Sequence, residues 1–127
     1  MSLTTDDQVE IWALYNRYNH TIDSGDGPGF AACFTEDGHL DTGSGTQVGA
    51  DAISTFAAAN KEMMPGLRHL AHNVVTDGDG EVATGSAFLV AYDVTGGHKV
   101  LATGTYADDL VKTPAGWRFT KRVFTSD

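Results

Sequence analysis

A single cysteine, Cys33, stands among 127 residues, so no internal disulfide can form. A structural metal centre built on clustered thiolates is excluded for the same reason. Cys33 lies inside Phe30-Ala31-Ala32-Cys33-Phe34, an apolar setting that suits a small buried side chain better than a nucleophile. Positive charge is also scarce, with 8 Lys and Arg against 17 Asp and Glu and a net charge of -9. A surface of that sign repels phosphate backbones and anionic lipid, which argues against nucleic acid and membrane as partners. Long apolar runs are missing: residues 57–59 and 88–92 are far too short to span a bilayer. Residues 1–10 are polar and acidic with no apolar leader, so the expected setting is the cytoplasm. No repeat, low-complexity block or linker divides the chain, which reads as one domain over residues 1–127.

Periodic patterns fill the remainder. Over residues 6–23, Val9, Trp12, Leu14, Tyr15, Tyr18 and Ile22 fall mainly at helical spacings, with Thr4 or Thr5 placed to cap and acids in the first turn. The breakers Ser24-Gly25-Asp26-Gly27-Pro28 end that helix. Residues 29–34 predict a short second helix, residues 35–38 a turn, residues 39–42 a strand and residues 46–48 a shorter one. A third helix starts near Gly49 and closes at Pro65-Gly66, with Ile53 and Phe56 on its buried side. Strands follow at residues 67–76, 81–95, 98–110 and 117–124, separated by hairpin turns such as Asp77-Gly78-Asp79-Gly80 and Gly96-Gly97. Helices first and an antiparallel meander after them predict an α+β domain with a curved sheet and a concave ligand space.

Three places carry candidate chemistry. Asp23 ends an apolar helical face at the negative end of the helix dipole, so a buried Asp23 needs a compensating partner. An exposed turn residue is the other reading of the same position. Within Arg68-His69-Leu70-Ala71-His72-Asn73, two histidines three apart on a strand face opposite ways, so one of them at most enters a pocket. An imidazole there can act as a general base near neutral pH, and Asp23 can fix its tautomer. No helical His pairing supports a metal site. In Gly116-Trp117-Arg118-Phe119-Thr120-Lys121-Arg122-Val123, strict alternation puts Trp117 and Phe119 on one face and Arg122 on the other. Arg122 facing a pocket would bind an anionic group. Tyr92 and Tyr106 on neighbouring strands offer hydroxyls to the same space.

The ordered set of these segments, from Ile11-Trp12-Ala13-Leu14-Tyr15 to Asp23, through Phe34-Thr35-Glu36-Asp37-Gly38, Gly49-Ala50-Asp51-Ala52-Ile53 and residues 69–73 to Gly116-Trp117-Arg118-Phe119, resembles the SnoaL-like branch of the nuclear transport factor 2-like superfamily. The resemblance implies a cone-shaped α+β barrel: N-terminal helices packed in a strongly curved antiparallel sheet around an apolar cavity. Relatives of this kind include polyketide cyclases, scytalone dehydratase, hexachlorocyclohexane dehydrochlorinase, bile-acid dehydratases and ketosteroid isomerases, several of which use an Asp–His pair without metal or organic cofactor. It implies a lyase or isomerase acting on a small apolar molecule, with His69 as base, Asp23 orienting it and Arg122 at the dehydrochlorinase's arginine position. Tyr18, Phe34, Thr42, Phe56, Asn73, Tyr92 and Tyr106 are the implied substrate-binding residues. Tyr92 and Thr42 stand where the scytalone enzyme has a histidine and a tyrosine, which argues against that particular dehydration. Self-association as a homodimer or other homo-oligomer is implied through the convex sheet face. A non-catalytic binding or dimerisation domain is the rival reading, and a hydrolase with water held between Asp23 and Arg122 is a third.

Overall fold

The computed structural model describes residues 2–127. Helix α1 spans Thr5–Ser24, α2 Gly27–Ala31 and α3 Ala50–Met63; strands β1 Phe34–Asp41 and β2 Thr46–Val48 lie between α2 and α3. The second half supplies β3 Leu67–Gly78, β4 Val82–Asp93, β5 Lys99–Thr113 and β6 Gly116–Ser126. Among the described residues no helix is long and apolar enough to cross a membrane.

Thr4 caps α1 through a reciprocal box: its hydroxyl accepts from the Asp7 N–H at 3.0 Å, and Asp7 accepts from the Thr4 N–H at 3.2 Å. The Asp7 carboxylate also accepts from the Trp117 indole at 3.1 Å and the Lys112 ammonium at 3.1 Å, tying the helix start to β5 and β6. The buried stripe of α1 is Ile11, Leu14, Tyr15, Tyr18, Asn19 and Ile22. Val9 and Trp12, which the periodicity placed with this stripe, lie outside it and are about half exposed. Gly25 ends the helix at φ +73, a conformation open to glycine, where a Cβ would press on the Lys61 side chain.

The six strands form one sheet in the order β2-β1-β6-β5-β4-β3. The meander β3 to β6 is antiparallel throughout, as the turn signals imply. Beside it, β1 runs parallel to β6, a pairing invisible to local pattern because the strands lie at opposite ends of the chain. Strand β1 also starts earlier than the pattern suggests: Phe34 belongs to it rather than to α2, and residues 35–38 form an irregular stretch within the strand instead of a separating turn.

One face of the sheet curls over the helices. The inner side of β4 carries Ala83, Gly85, Ala87, Leu89 and Ala91, and β5 adds Ala102 and Gly104, so the sheet gives up volume where the helices and cavity need it. An aromatic group of Tyr15, Tyr18, Phe30, Phe34 and Phe119 fills the closed end, with ring centroids 4.6–6.2 Å apart. Cys33 is 2% exposed there, and burial pushes its thiol up, so it is a packing residue.

Candidate active site

Strand β3 is an edge of the sheet, so alternate backbone N–H groups along it lack a strand partner. Helix α1 lies against that edge, and Asp23, in its last turn, supplies the missing acceptor. One Asp23 carboxylate oxygen accepts from the His69 backbone N–H at 2.9 Å, and the other contacts the ring Nδ1 of the same residue at 2.6 Å. A carboxylate accepts only, so Nδ1 carries a proton, and in the neutral imidazole Nε2 is then the nitrogen with the free lone pair. Both side chains are largely shielded, at 18% and 11% exposed, which strengthens a charge-assisted bond relative to a surface pair. His72 is exposed on the outer face, so the two histidines point apart as the period-two reading requires.

His69 forms part of the wall of an apolar cavity of about 370 Å³. Tyr18 and Ile22 of α1, Phe56 of α3, Leu89 and Ala91 of β4, Tyr106 of β5 and Phe124 of β6 line it. Thr42, Ser44, Asn60, Met63, Met64, Leu67, Leu101 and Ala102 complete the lining, and Met63 and Leu101 are open to solvent. The register sets His69 beside Ala91, and Ala91 beside Ala102, so the row next to the imidazole is two methyl groups wide and leaves room for a ligand. His69 also borders a second groove, lined by Asn16, Asn19, His20, Asp23, Ser24, Lys61 and Arg68 together with Leu70 and Ala71. His69 thus belongs to both spaces, and Asp23 holds it from the groove side.

Arg122 departs from the alternation rule. Asp109 pairs with Lys121 but Leu110 pairs with Phe119, so Thr120 is an extra residue on β6. This bulge turns Arg122 to the same inner face as Trp117 and Phe119, and all three are buried. Arg122 does not reach the cavity wall. Its Nε donates to Asp108 at 2.9 Å and Nη2 donates to the other carboxylate oxygen at 3.2 Å, while the Tyr15 hydroxyl donates to the same carboxylate. Its guanidinium carbon lies 3.5 Å from the Tyr106 ring centre and 4.3 Å from that of Tyr18. The direct anion-binding role expected of Arg122 is thus replaced by a position behind the tyrosines.

Of the expected substrate-binding residues, Tyr18, Thr42, Phe56 and Tyr106 line the cavity with His69. Phe34 lies one layer deeper, against Tyr18 and Phe119. Tyr92 is on the outer face of β4, because the buried positions of that strand are the odd-numbered ones up to Ala91. Asn73 is exposed at φ +55 where the β3–β4 register shifts, so it does not enter the cavity either. Burial pushes the phenols of Tyr18 and Tyr106 above the usual range, and both remain protonated donors at neutral pH. Sequence reasoning missed Asp108. Its signal was present: Tyr106, Asp108 and Leu110 share one period-two face, which sets a carboxylate among buried side chains. Among the described residues no three His, Cys, Asp or Glu side chains converge to hold a metal ion.

The profile of the SnoaL-like domain matches residues 4–123. A protein of unknown function from Mycobacterium tuberculosis is 37% identical, with 94% of this chain and 70% of that chain covered at a TM-score of 0.88. A nuclear transport factor 2-like protein with a cystatin-like fold from Novosphingobium aromaticivorans is 27% identical, covering 94% and 80% at a TM-score of 0.87. A candidate scytalone dehydratase from the same organism is 20% identical, covering 98% and 89% at a TM-score of 0.81, a likeness of fold alone. No curated protein matches the chain. With the profile spanning nearly every residue, and a curled α+β sheet shared with these structures, the chain belongs to the SnoaL-like family.

Proposed function

We propose that the protein is a cofactor-independent acid–base enzyme, a lyase or isomerase acting on a small, largely apolar molecule held in the 370 Å³ cavity. The observation that carries this reading is the two-point grip of Asp23 on His69, on the ring at 2.6 Å and on the backbone at 2.9 Å, at the wall of that cavity. His69 Nε2 takes a proton from carbon. Asp23 holds the imidazole in the tautomer that leaves Nε2 free and stabilises the imidazolium that forms. Tyr18 and Tyr106 donate their hydroxyls to the oxygen that gains charge. The electron pair of the broken C–H bond then expels a leaving group, or the proton returns to a different carbon. The test is deuterium uptake from heavy water into a panel of apolar ketones, followed by NMR. The native protein catalyses exchange and His69→Ala does not; equal exchange by both removes His69 from the reaction.

A second copy of the chain belongs to the same proposal. The outer face of β3 to β5 presents Leu70, Val75, Val82, Phe88 and Val100, each at least half exposed, with Ser86, Val90, Thr103 and Thr105 between them. In a chain of net charge -9, a largely apolar stretch of sheet, whose nearest charges are Arg68, Asp77 and Asp109, is where two copies meet with the least repulsion. A cytoplasmic setting is part of the reading as well, tested by cell fractionation.

A further inference from the structure

An ion pair buried away from water adds little stability over an apolar pair of the same volume, because both charges lose their hydration. Arg122 and Asp108 form such a pair, at 0% and 4% exposed. Arg122 follows a β-bulge at Thr120, and its Nη1 has no hydrogen-bond partner among the described residues. Stability alone does not account for this arrangement, but its direction is informative. The guanidinium carbon lies among four rings, nearest to the cavity tyrosines Tyr106 at 3.5 Å and Tyr18 at 4.3 Å and farther from Phe119 at 4.6 Å and Tyr15 at 4.7 Å, while the carboxylate is bonded to the hydroxyl of Tyr15, which is not part of the cavity lining.

We propose that Arg122 and Asp108 act as a fixed dipole whose positive end underlies Tyr18 and Tyr106, making that wall of the cavity a receptor for an oxyanion of the enolate or phenolate class. Arg122 touches no ligand; it is a positioning residue that acts through the two phenols. The inference rests on the reading that the cavity is the ligand site, and it assigns the polarity of the ligand within it: the acidic carbon towards His69 and the oxygen that takes up charge towards Tyr18 and Tyr106. The electrostatic balance agrees with this direction. At Tyr18 and Tyr106 the Arg122 charge outweighs that of Asp108, whereas at Tyr15 the Asp108 charge outweighs that of Arg122. Asp23 also reaches Tyr106 and acts in the opposite sense, so the receptor works against the negative charge of the catalytic pair.

The test uses 4-nitrophenol, whose neutral and ionised forms have different absorption spectra. Bound to the native protein, the dye ionises at lower pH than it does free, with the phenolate form favoured about tenfold or more, the scale of one buried opposite charge. Arg122→Met abolishes that preference, and Asp108→Asn, which keeps the shape but removes the opposing charge, increases it. Opposite signs from the two partners are the outcome a merely structural pair would not give, since loss of packing weakens both dye forms alike. Changes of the same sign, no ionisation shift in the native protein, or no binding at millimolar dye overturn the proposal. If Arg122→Met does not fold, Asp108→Asn alone decides by the sign of its effect. Because the dye undergoes no reaction, a negative result here leaves the deuterium-exchange test of His69 untouched.

Discussion

Asp23→Asn is the sharpest perturbation of the site, because it changes a hydrogen direction and almost nothing else. An asparagine at this place still accepts from the His69 backbone N–H, now 2.9 Å from the carboxylate, through its carbonyl oxygen. Its amide group then faces the ring Nδ1 across the present 2.6 Å contact and can only donate. Nδ1 must become the acceptor, and the ring proton moves to Nε2, the atom that has to be free for the reaction. The stability cost is modest. A charge-assisted bond of about 1.5–3 kcal/mol gives way to a neutral one of about 0.5–1.5 kcal/mol, a net loss of roughly 1–2 kcal/mol. For 127 residues the unfolding entropy is about 0.27 kcal/mol/K, so the melting temperature falls by about 4–7 °C. Turnover, in contrast, falls about 10⁴-fold, the size of a wrong-tautomer effect in a His–Asp pair. Nitrogen-15 NMR of the imidazole reads the tautomer directly, with or without a substrate. An Nδ1–H tautomer in both proteins, or a variant that melts normally and turns over normally, refutes the reasoning.

Three further outcomes are expected. The Asp7 carboxyl is held well below the usual carboxylate range, chiefly by the Trp117 indole N–H and then by the Thr4 backbone and Lys112; the unfolded chain therefore binds the proton first, so this stabilisation is complete above about pH 4 and fades as the pH falls further. Melting curves between pH 2 and 7 will show a shallower acid loss for Asp7→Asn than for the native protein. Ala91→Leu places a larger side chain in the row beside His69, so dye uptake by the cavity drops at least tenfold while the imidazole NMR signature is unchanged. Phe88→Lys puts a charge in the middle of the exposed outer face, and sedimentation will report a smaller particle than for the native protein if two copies meet there.

How much of this was legible in the sequence depends on whether a feature is local. In α1, Leu14, Tyr15, Tyr18 and Ile22 and a cap at Thr4 or Thr5 were readable because helix periodicity and capping act over a few residues, whereas Ile11 was missed and Val9 and Trp12 were counted in its place. The hairpins were readable from their turn glycines. The pairing of β1 with β6 was not, since parallel neighbours distant in the chain share no turn. Asp23 and His69 could be nominated separately, but their contact depends on α1 lying along the free edge of β3, a tertiary fact. Tyr92 and Asn73 were assigned to the pocket by position along the chain; face and register place them outside it. Arg122 was assigned to the correct strand and the wrong face, because alternation assumes an unbroken ladder and one added residue breaks it.

That added residue separates two things that the strand holds together, the direction of Arg122 and the bend of β6. The partners on β5 run without a gap, Leu110 opposite Phe119, Asp109 opposite Lys121 and Asp108 opposite Arg122. A strand lacking Thr120 would meet the same three partners in an unbroken ladder, with Lys121 outward and Arg122 still inward on Asp108. Thr120 is therefore a length that the ion pair does not need, and its removal would straighten β6 while leaving the buried charges in register.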